Sequence, residues 1–282
     1  MERSEATIPY KSGFRLRGHE VTRLETFVDA AFAFSLTLLV IFFNDLPDTV
    51  EELRDALRRV PTFALCFVLL MLFWGAHNRW SRRFGLEDAK STVLSLGLVL
   101  VVMVFVYPLR MVTGSGLSLL TGGWVPNELK GLGADWLLDL QTVFMVYATG
   151  FALLSGILWA LNAHALKQAD ALALDSYERY ETVSEIGLHR ITTITAALSL
   201  LCSLLLLAWR PSLGWIAGAP MWLYCFMGGA MGWYGSVRNS RRAAALAPAA
   251  AAEPIAAPAP AETAQARAVD SKPIAQPTTP NP

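Results

Sequence analysis

Arg23, Glu25 and Asp29 stand at the entry to an apolar run, Ala30 to Phe43, that holds no charge at all. Ionisable side chains at a membrane edge cost free energy unless partnered, and they mark either function or a structural hydrogen-bond cluster. A second polar group lies in LFWGAHNRW, where Trp74, His77 and Asn78 at i, i+3 and i+4 share a helical face. Three chemistries are open to such a set: interhelical hydrogen bonding that glues two helices together, a proton relay or transport site, and a catalytic dyad. The last is the weakest. The chain has no HExxH, no paired intramembrane aspartates and no Ser–His arrangement within one helix pair, so no enzyme is expected. Arg23 taken alone reads as a snorkelling anchor, and Glu25 as a solvated interfacial carboxylate. His164 and His189, at the ends of apolar segments, are expected to be solvated as well.

The elements that must position these groups are membrane helices. Of 282 residues 54% are hydrophobic and only 16% charged, against about a quarter charged in soluble domains. Mean hydropathy is +0.41. The balance of 23 basic and 23 acidic residues argues against a nucleic-acid partner, and the nine Trp suit interfacial aromatic belts. Cys66, Cys202 and Cys225 fall inside apolar runs, show no metal-ligand or disulfide spacing, and read as small packing residues. No metal or cofactor is expected. A bilayer core needs about 20 apolar residues per helix, and six stretches come close, near 25–43, 61–80, 91–110, 138–161, 190–209 and 214–236. LPDTVEELRDALRRVP has helical charge spacing and reads as a short surface helix ending at Pro61. The Gly-rich stretch 112–135 reads as a loop and lacks the Lys-Ser/Thr ending of a phosphate cradle. No cleavable signal peptide is visible. After Arg242 the Ala/Pro-rich tail has no aromatic residue and is expected to be disordered.

Lys and Arg are concentrated in the segment through Arg23, the 79–90 loop, the 162–190 segment and the tail. The positive-inside rule therefore puts both termini in the cytoplasm, consistent with an even number of spans. The resulting division is a cytoplasmic segment over 1–22, a six-helix transmembrane domain over 23–237 and a cytoplasmic tail over 238–282.

On the first helix, Phe27, Ala31, Phe34, Leu38 and Ile41 follow a 4-3-4-3 spacing and lie on one stripe. Asp29 lies about 140° from Phe34 on the helical wheel, so with Thr22, Thr26 and Ala33 it forms a second, small and polar face. Such a helix has two different neighbours to satisfy.

Arg23, then Leu24-Glu25-Thr26, then Phe27-Val28-Asp29 resembles the Arg-x-x-x-Phe-Ser-Asp signature that opens the first helix of the transmembrane protein 175 potassium-channel family. Ser35-Leu36-Thr37-Leu38-Leu39-Val40 continues the likeness. Val60-Pro61, Phe73-Trp74 and His77-Asn78 resemble the family's second helix, and Tyr107-Pro108 the end of its third. The likeness is close over roughly residues 20–110 and is a matching helix pattern over 136–237. It implies an all-α polytopic membrane protein, a homotetramer of six-helix subunits with four first helices around a potassium-permeable pore in a bacterial plasma membrane. Carried onto this chain, the hydrophobic constriction falls on Phe34, Leu38 and Ile41, with Thr37 one position from Leu38. Arg23, Phe27, Asp29, Trp74, His77 and Asn78 would form the structural polar cluster, with Asp29 held by His77 and Asn78. Two departures stand out: Val28 replaces the signature Ser, and Phe34 stands where relatives usually carry Ile or Leu. The alternative function is a channel-fold protein that conducts poorly, carries protons or serves as a regulatory scaffold.

Overall fold

The computed structural model describes residues 10–11, 13–18, 20–41, 48–129, 131–210 and 214–252. A two-stranded antiparallel hairpin, β1 (Tyr10–Lys11) and β2 (Phe14–Arg15), precedes six long helices. These are α1 (Arg23–Ile41), α2 (Val50–Phe84), α3 (Ala89–Leu120), α4 (Trp136–Lys167), α5 (Ser176–Trp209) and α6 (Ala219–Ala252). A single 3-10 turn, Gly214–Gly218, leads into α6. Packing follows the chain closely: α1 sits on α3 and α2, α3 on α4, α4 on α5, and α5 on α6.

α2, α3, α4 and α5 are each long and apolar enough to cross a bilayer, whereas α1 and α6 fall short of that measure within the described residues. These four helices have 32 to 35 residues. At 1.5 Å per residue each is about 50 Å long, well beyond a hydrocarbon core of about 30 Å. The excess accounts for three differences from the sequence expectations. The surface helix over 46–61 is not separate: α2 runs unbroken from Val50 through Pro61. Proline removes one backbone donor, and the carbonyl left over belongs to Leu57, whose residue is exposed and open to water. α3 continues to Leu120, so the loop between α3 and α4 is 121–135, shorter than the Gly-rich stretch suggests. α5 starts at Ser176, well before the apolar run at 190–209, because Asp175 and Glu178 form a capping box there. α6 likewise extends to Ala252, into the Ala/Pro-rich segment; the tail over 253–282 lies outside the described residues.

The core is a single cluster running through the helices, with rings at its centre. Phe73 of α2, Phe105 of α3 and Phe151 of α4 meet edge to face at 5.4 to 6.4 Å, and Tyr224 of α6 joins Phe151 at 5.4 Å. Edge-to-face pairs add about 0.5–1.5 kcal/mol beyond burial, so the contact fixes the mutual rotation of four helices. Cys66 is buried against Thr113, but Cys225 is exposed, so it is not the packing residue expected of it.

Candidate pore helix and its anchoring site

α1 has one buried and one open face. Glu25, Val28, Phe32, Ser35 and Leu39 repeat at 3-4-3-4 spacing, and each is at most 3% exposed. Thr26, Ala30, Ala33, Thr37 and Val40 repeat at the complementary spacing and are exposed, with Phe27 and Phe34 half-exposed beside them. The open face is therefore small and hydroxyl-bearing at its centre and aromatic at one side. Of the four residues expected at the constriction, Phe34 and Thr37 lie on this face. Leu38 is partly buried and packs on the subunit's own core, and the Ile41 side chain lies outside the described residues. Ala31, part of the expected stripe, is buried. Val28 is fully buried among apolar neighbours, where a methyl group packs and a serine hydroxyl would need a partner.

The polar residues at the start of α1 are matched one by one. Asp29 accepts a 2.7 Å hydrogen bond from the Trp74 indole N–H. Glu25, expected in solvent, is buried; it accepts from Asn78 Nδ2 at 3.4 Å and pairs with Arg82 Nε at 3.2 Å. Asp29 is thus not held by His77 and Asn78, as the sequence suggested. Trp74 and Asn78, four apart, differ by about 40° on the helix and both reach α1. His77 lies about 100° from Asn78 and turns to α3, where its Nε2 meets Ser95 Oγ at 3.0 Å, a Ser–His contact within one helix pair that the sequence did not lead one to expect. Arg23 is exposed and makes no hydrogen bond or ion pair among the described residues, and Phe27 lies on the open face, apart from the cluster. The anchor of α1 is therefore Glu25 with Asn78 and Arg82, and Asp29 with Trp74.

A second set of contacts holds the segment before α1. Glu178, in the first turn of α5 and outside its apolar run, is fully buried and takes six hydrogen bonds on its carboxylate. They come from the Arg15 backbone N–H, Nε and Nη2, both Nη groups of Arg17, and the Asp175 backbone N–H, all at 2.7 to 3.1 Å. Burial alone would raise its pKa, but the bonds from Arg15 and Arg17 outweigh it and hold the group at about 2. Phe14, buried beside this pair, packs edge-on to Phe84 at 5.7 Å under the Arg83 guanidinium. The chain then passes so close to Gly85, which has φ 57° at the end of α2, that both its conformation and its lack of a side chain are needed. Sequence reasoning missed this clamp. Its one local signal was the Asp-x-x-Glu capping box of Asp175 and Glu178.

At the opposite end of the bundle, Glu128 of the 121–135 loop is gripped by Arg59 of α2 at 2.9 Å and Arg110 of α3 at 2.6 Å. At the end carrying the N-terminal arm, Asp88, which precedes α3, accepts from Ser91 Oγ and meets His164 Nε2 at 2.7 Å, and its pKa is lowered chiefly by the Ser91 hydrogen bond. His164 is accordingly tied down where a solvated ring was expected. Among the described residues no His, Cys, Asp and Glu side chains gather as metal ligands would.

Comparison with known proteins bears on the same elements. A family model described as endosomal/lysosomal potassium channel TMEM175 matches residues 23–108, from the first residue of α1 to Pro108 of α3. A protein of Marivirga tractuosa described as a potassium channel is 31% identical over 203 residues, covering 71% of this chain and 82% of that protein. This chain belongs to the TMEM175 potassium channel family. The crystal structure of the potassium channel MtTMEM175, solved as a threonine-to-alanine variant with a nanobody fusion, shares 27% identity and superposes with a TM-score of 0.69. The match covers 82% of this chain and 99% of that one. The TMEM175 family model thus ends inside α3, yet the structural likeness extends over most of the bundle, including helices in which no signature motif is legible.

Proposed function

We propose that the chain is one subunit of a potassium-permeable channel, a homotetramer in the plasma membrane of a bacterium. Four copies of α1 surround the central axis, and α1 and α6 join α2–α5 in the membrane. Both termini are cytoplasmic, as the concentration of Lys and Arg at the end carrying the N-terminal arm supports. The observation that carries the proposal is the open face of α1. The helix is anchored by buried charge on one side and offers Thr26, Ala30, Ala33 and Thr37 on the other, small residues that let helices approach closely. The permeant ion comes from the family and from the Marivirga tractuosa relative. Phe34 and Thr37 form the constriction, with Leu38 at the seam between neighbouring helices and Ile41 one turn farther along. A ring of phenyl groups supplies no oxygen to replace hydration water, so passage there is governed by width and dewetting. No enzymatic role is part of the proposal.

Potassium and sodium flux into liposomes, beside native mass spectrometry of the purified protein, tests it; monomers or dimers alone would reject a four-helix pore. Phe34→Ala sharpens the test. Phe34 is half-exposed within the subunit, so truncation should cost well under the about 3–5 kcal/mol of a buried phenylalanine. Flux should rise and preference for potassium should fall. A drop in melting temperature with unchanged flux and selectivity would remove Phe34 from the pore.

A further inference from the structure

Between α5 and α6, at the end carrying the N-terminal arm, lies a half-open cavity of about 230 Å³. The helices touch just beyond it because position 187 is glycine: a Cβ there would run into the Tyr234 hydroxyl. The next residue, Gly235, lines the cavity and borders open space. Arg238 lines the gap. Its guanidinium stacks on the Tyr180 ring, 3.8 Å from the centroid. Its Nε donates to Ser184 Oγ at 2.9 Å and its Nη2 to the Tyr180 carbonyl at 2.8 Å. These bonds fix the plane of the group without neutralising it, for among the described residues no carboxylate comes within ion-pair distance of Arg238. Arg242, one turn further, lies over the Tyr177 ring at 4.7 Å and meets Glu181 at the long distance of 3.8 Å. The cavity thus holds two guanidiniums against one carboxylate. Phe226 and Trp233, more than 70% exposed, lie on the opposite face of α6, about 120–180° round from the two arginines, and suit a lipid-facing surface.

We propose that this cavity binds the phosphate of an anionic phospholipid of the inner leaflet. Basic pockets between membrane helices on the cytoplasmic side take such headgroups, and an exposed Trp marks the headgroup level. The phosphate meets the oriented guanidinium of Arg238 and that of Arg242, and the acyl chains enter the bilayer beside the gap between α5 and α6. The anion could come from a lipid or from solution; the depth of the cavity, with Arg238 under two turns beyond the exposed Trp233, favours the lipid. The assignment to the inner leaflet rests on the orientation proposed above, whereas the binding measurement requires no conduction, so the two can fail separately.

The test is native mass spectrometry of the full chain in neutral detergent, titrated with phosphatidylglycerol or phosphatidylcholine. The expected result is retention of phosphatidylglycerol over phosphatidylcholine. Arg238→Gln and Arg242→Gln should each weaken phosphatidylglycerol binding about fivefold, the weight of one basic residue at an anionic surface. Arg238→Lys, which keeps the charge, should retain the preference. Arg241→Gln, at an exposed residue outside the cavity, should change nothing, and melting temperatures confirm that each variant is folded. Equal binding of the two lipids, or equal loss in Arg241→Gln, would overturn the proposal. So would displacement of the lipid by millimolar inorganic phosphate with no lipid preference left, which marks a soluble anion. Subunit dissociation in Arg238→Gln at unchanged lipid occupancy would assign the surface to a second copy and overturn it too.

Discussion

Glu178 and Glu128 are each held by two arginines, at opposite ends of the bundle, and both carboxylates are buried. The Glu178 clamp joins segments 163 residues apart and shares its carboxylate with the cap that starts α5. The strand it holds runs past Gly85 directly into α1. The Glu128 clamp closes over 18 residues to Arg110 and 69 to Arg59, and fastens a loop onto helices that the aromatic core already holds. The same chemistry therefore does two jobs. One clamp sets the position of the helix proposed to line the pore; the other covers the far end of α2 and α3. A buried charge pair is weak evidence for net stability, but removing one partner leaves the other charge uncompensated, and the two sites differ in what moves when that happens.

Substitutions at the two clamps should therefore have different consequences. Glu178→Ala should have the largest effect, about 3–5 kcal/mol, because it strands two arginines and removes half of a capping box. Thermal melting should fall steeply and flux should fall with it; a melting loss with normal flux would detach the clamp from α1. Acid should act on the same group. Its folded pKa, about 2, lies below the ordinary 4.5, so its contribution is complete above about pH 4.5 and is lost as pH falls toward about 2, roughly 3 kcal/mol in all. The melting gap between wild type and Glu178→Gln should narrow as pH is lowered from about 7 to about 3. A constant gap would mean that the bonded carboxylate does not titrate as assigned. Glu128→Ala should cost less, about 1.5–3 kcal/mol, the range for hydrogen bonds to charged groups, with water able to reach the loop. Flux and oligomer yield should be unchanged, and a loss of either would erase the difference between the clamps. Asp29→Ala should be the mildest, about 1–2 kcal/mol from the unmatched Trp74 N–H. It should lower oligomer yield without altering selectivity; a swap from potassium to sodium preference would put Asp29 on the pore side.

Unbroken apolar runs made α2 to α5 legible in the sequence, since twenty such residues have few other uses. Their extensions were hidden because a polar helix outside the bilayer, such as 176–189, has the composition of a loop until its partner is known. Trp74 and Asn78 were legible as partners of α1 from their i, i+4 spacing. His77 was not, because a step of three residues instead of four turns a side chain to a different neighbour. The open face of α1 was read with a bias. Its centre at Ala30, Ala33 and Thr37 is rotated by about 90° from the stripe of Phe and Leu. Hydrophobic periodicity is weighted by bulky residues, and small ones that allow close approach contribute little to it. Arg15, Arg17 and Glu178 left almost no trace, because nothing local in a sequence records a pairing over 163 residues.

That separation also has a meaning in time. Arg15 emerges early in synthesis, and at about 5–20 residues per second its partner follows roughly ten to thirty seconds later. Throughout that interval α1, the shortest and first-made of the six long helices, leads the chain with its arm untied, while the helices it leans on are added one by one. Completing the first turn of α5 closes the clamp. The Glu178 clamp, which steadies the helix proposed to line the pore, therefore cannot close until most of the subunit has been made.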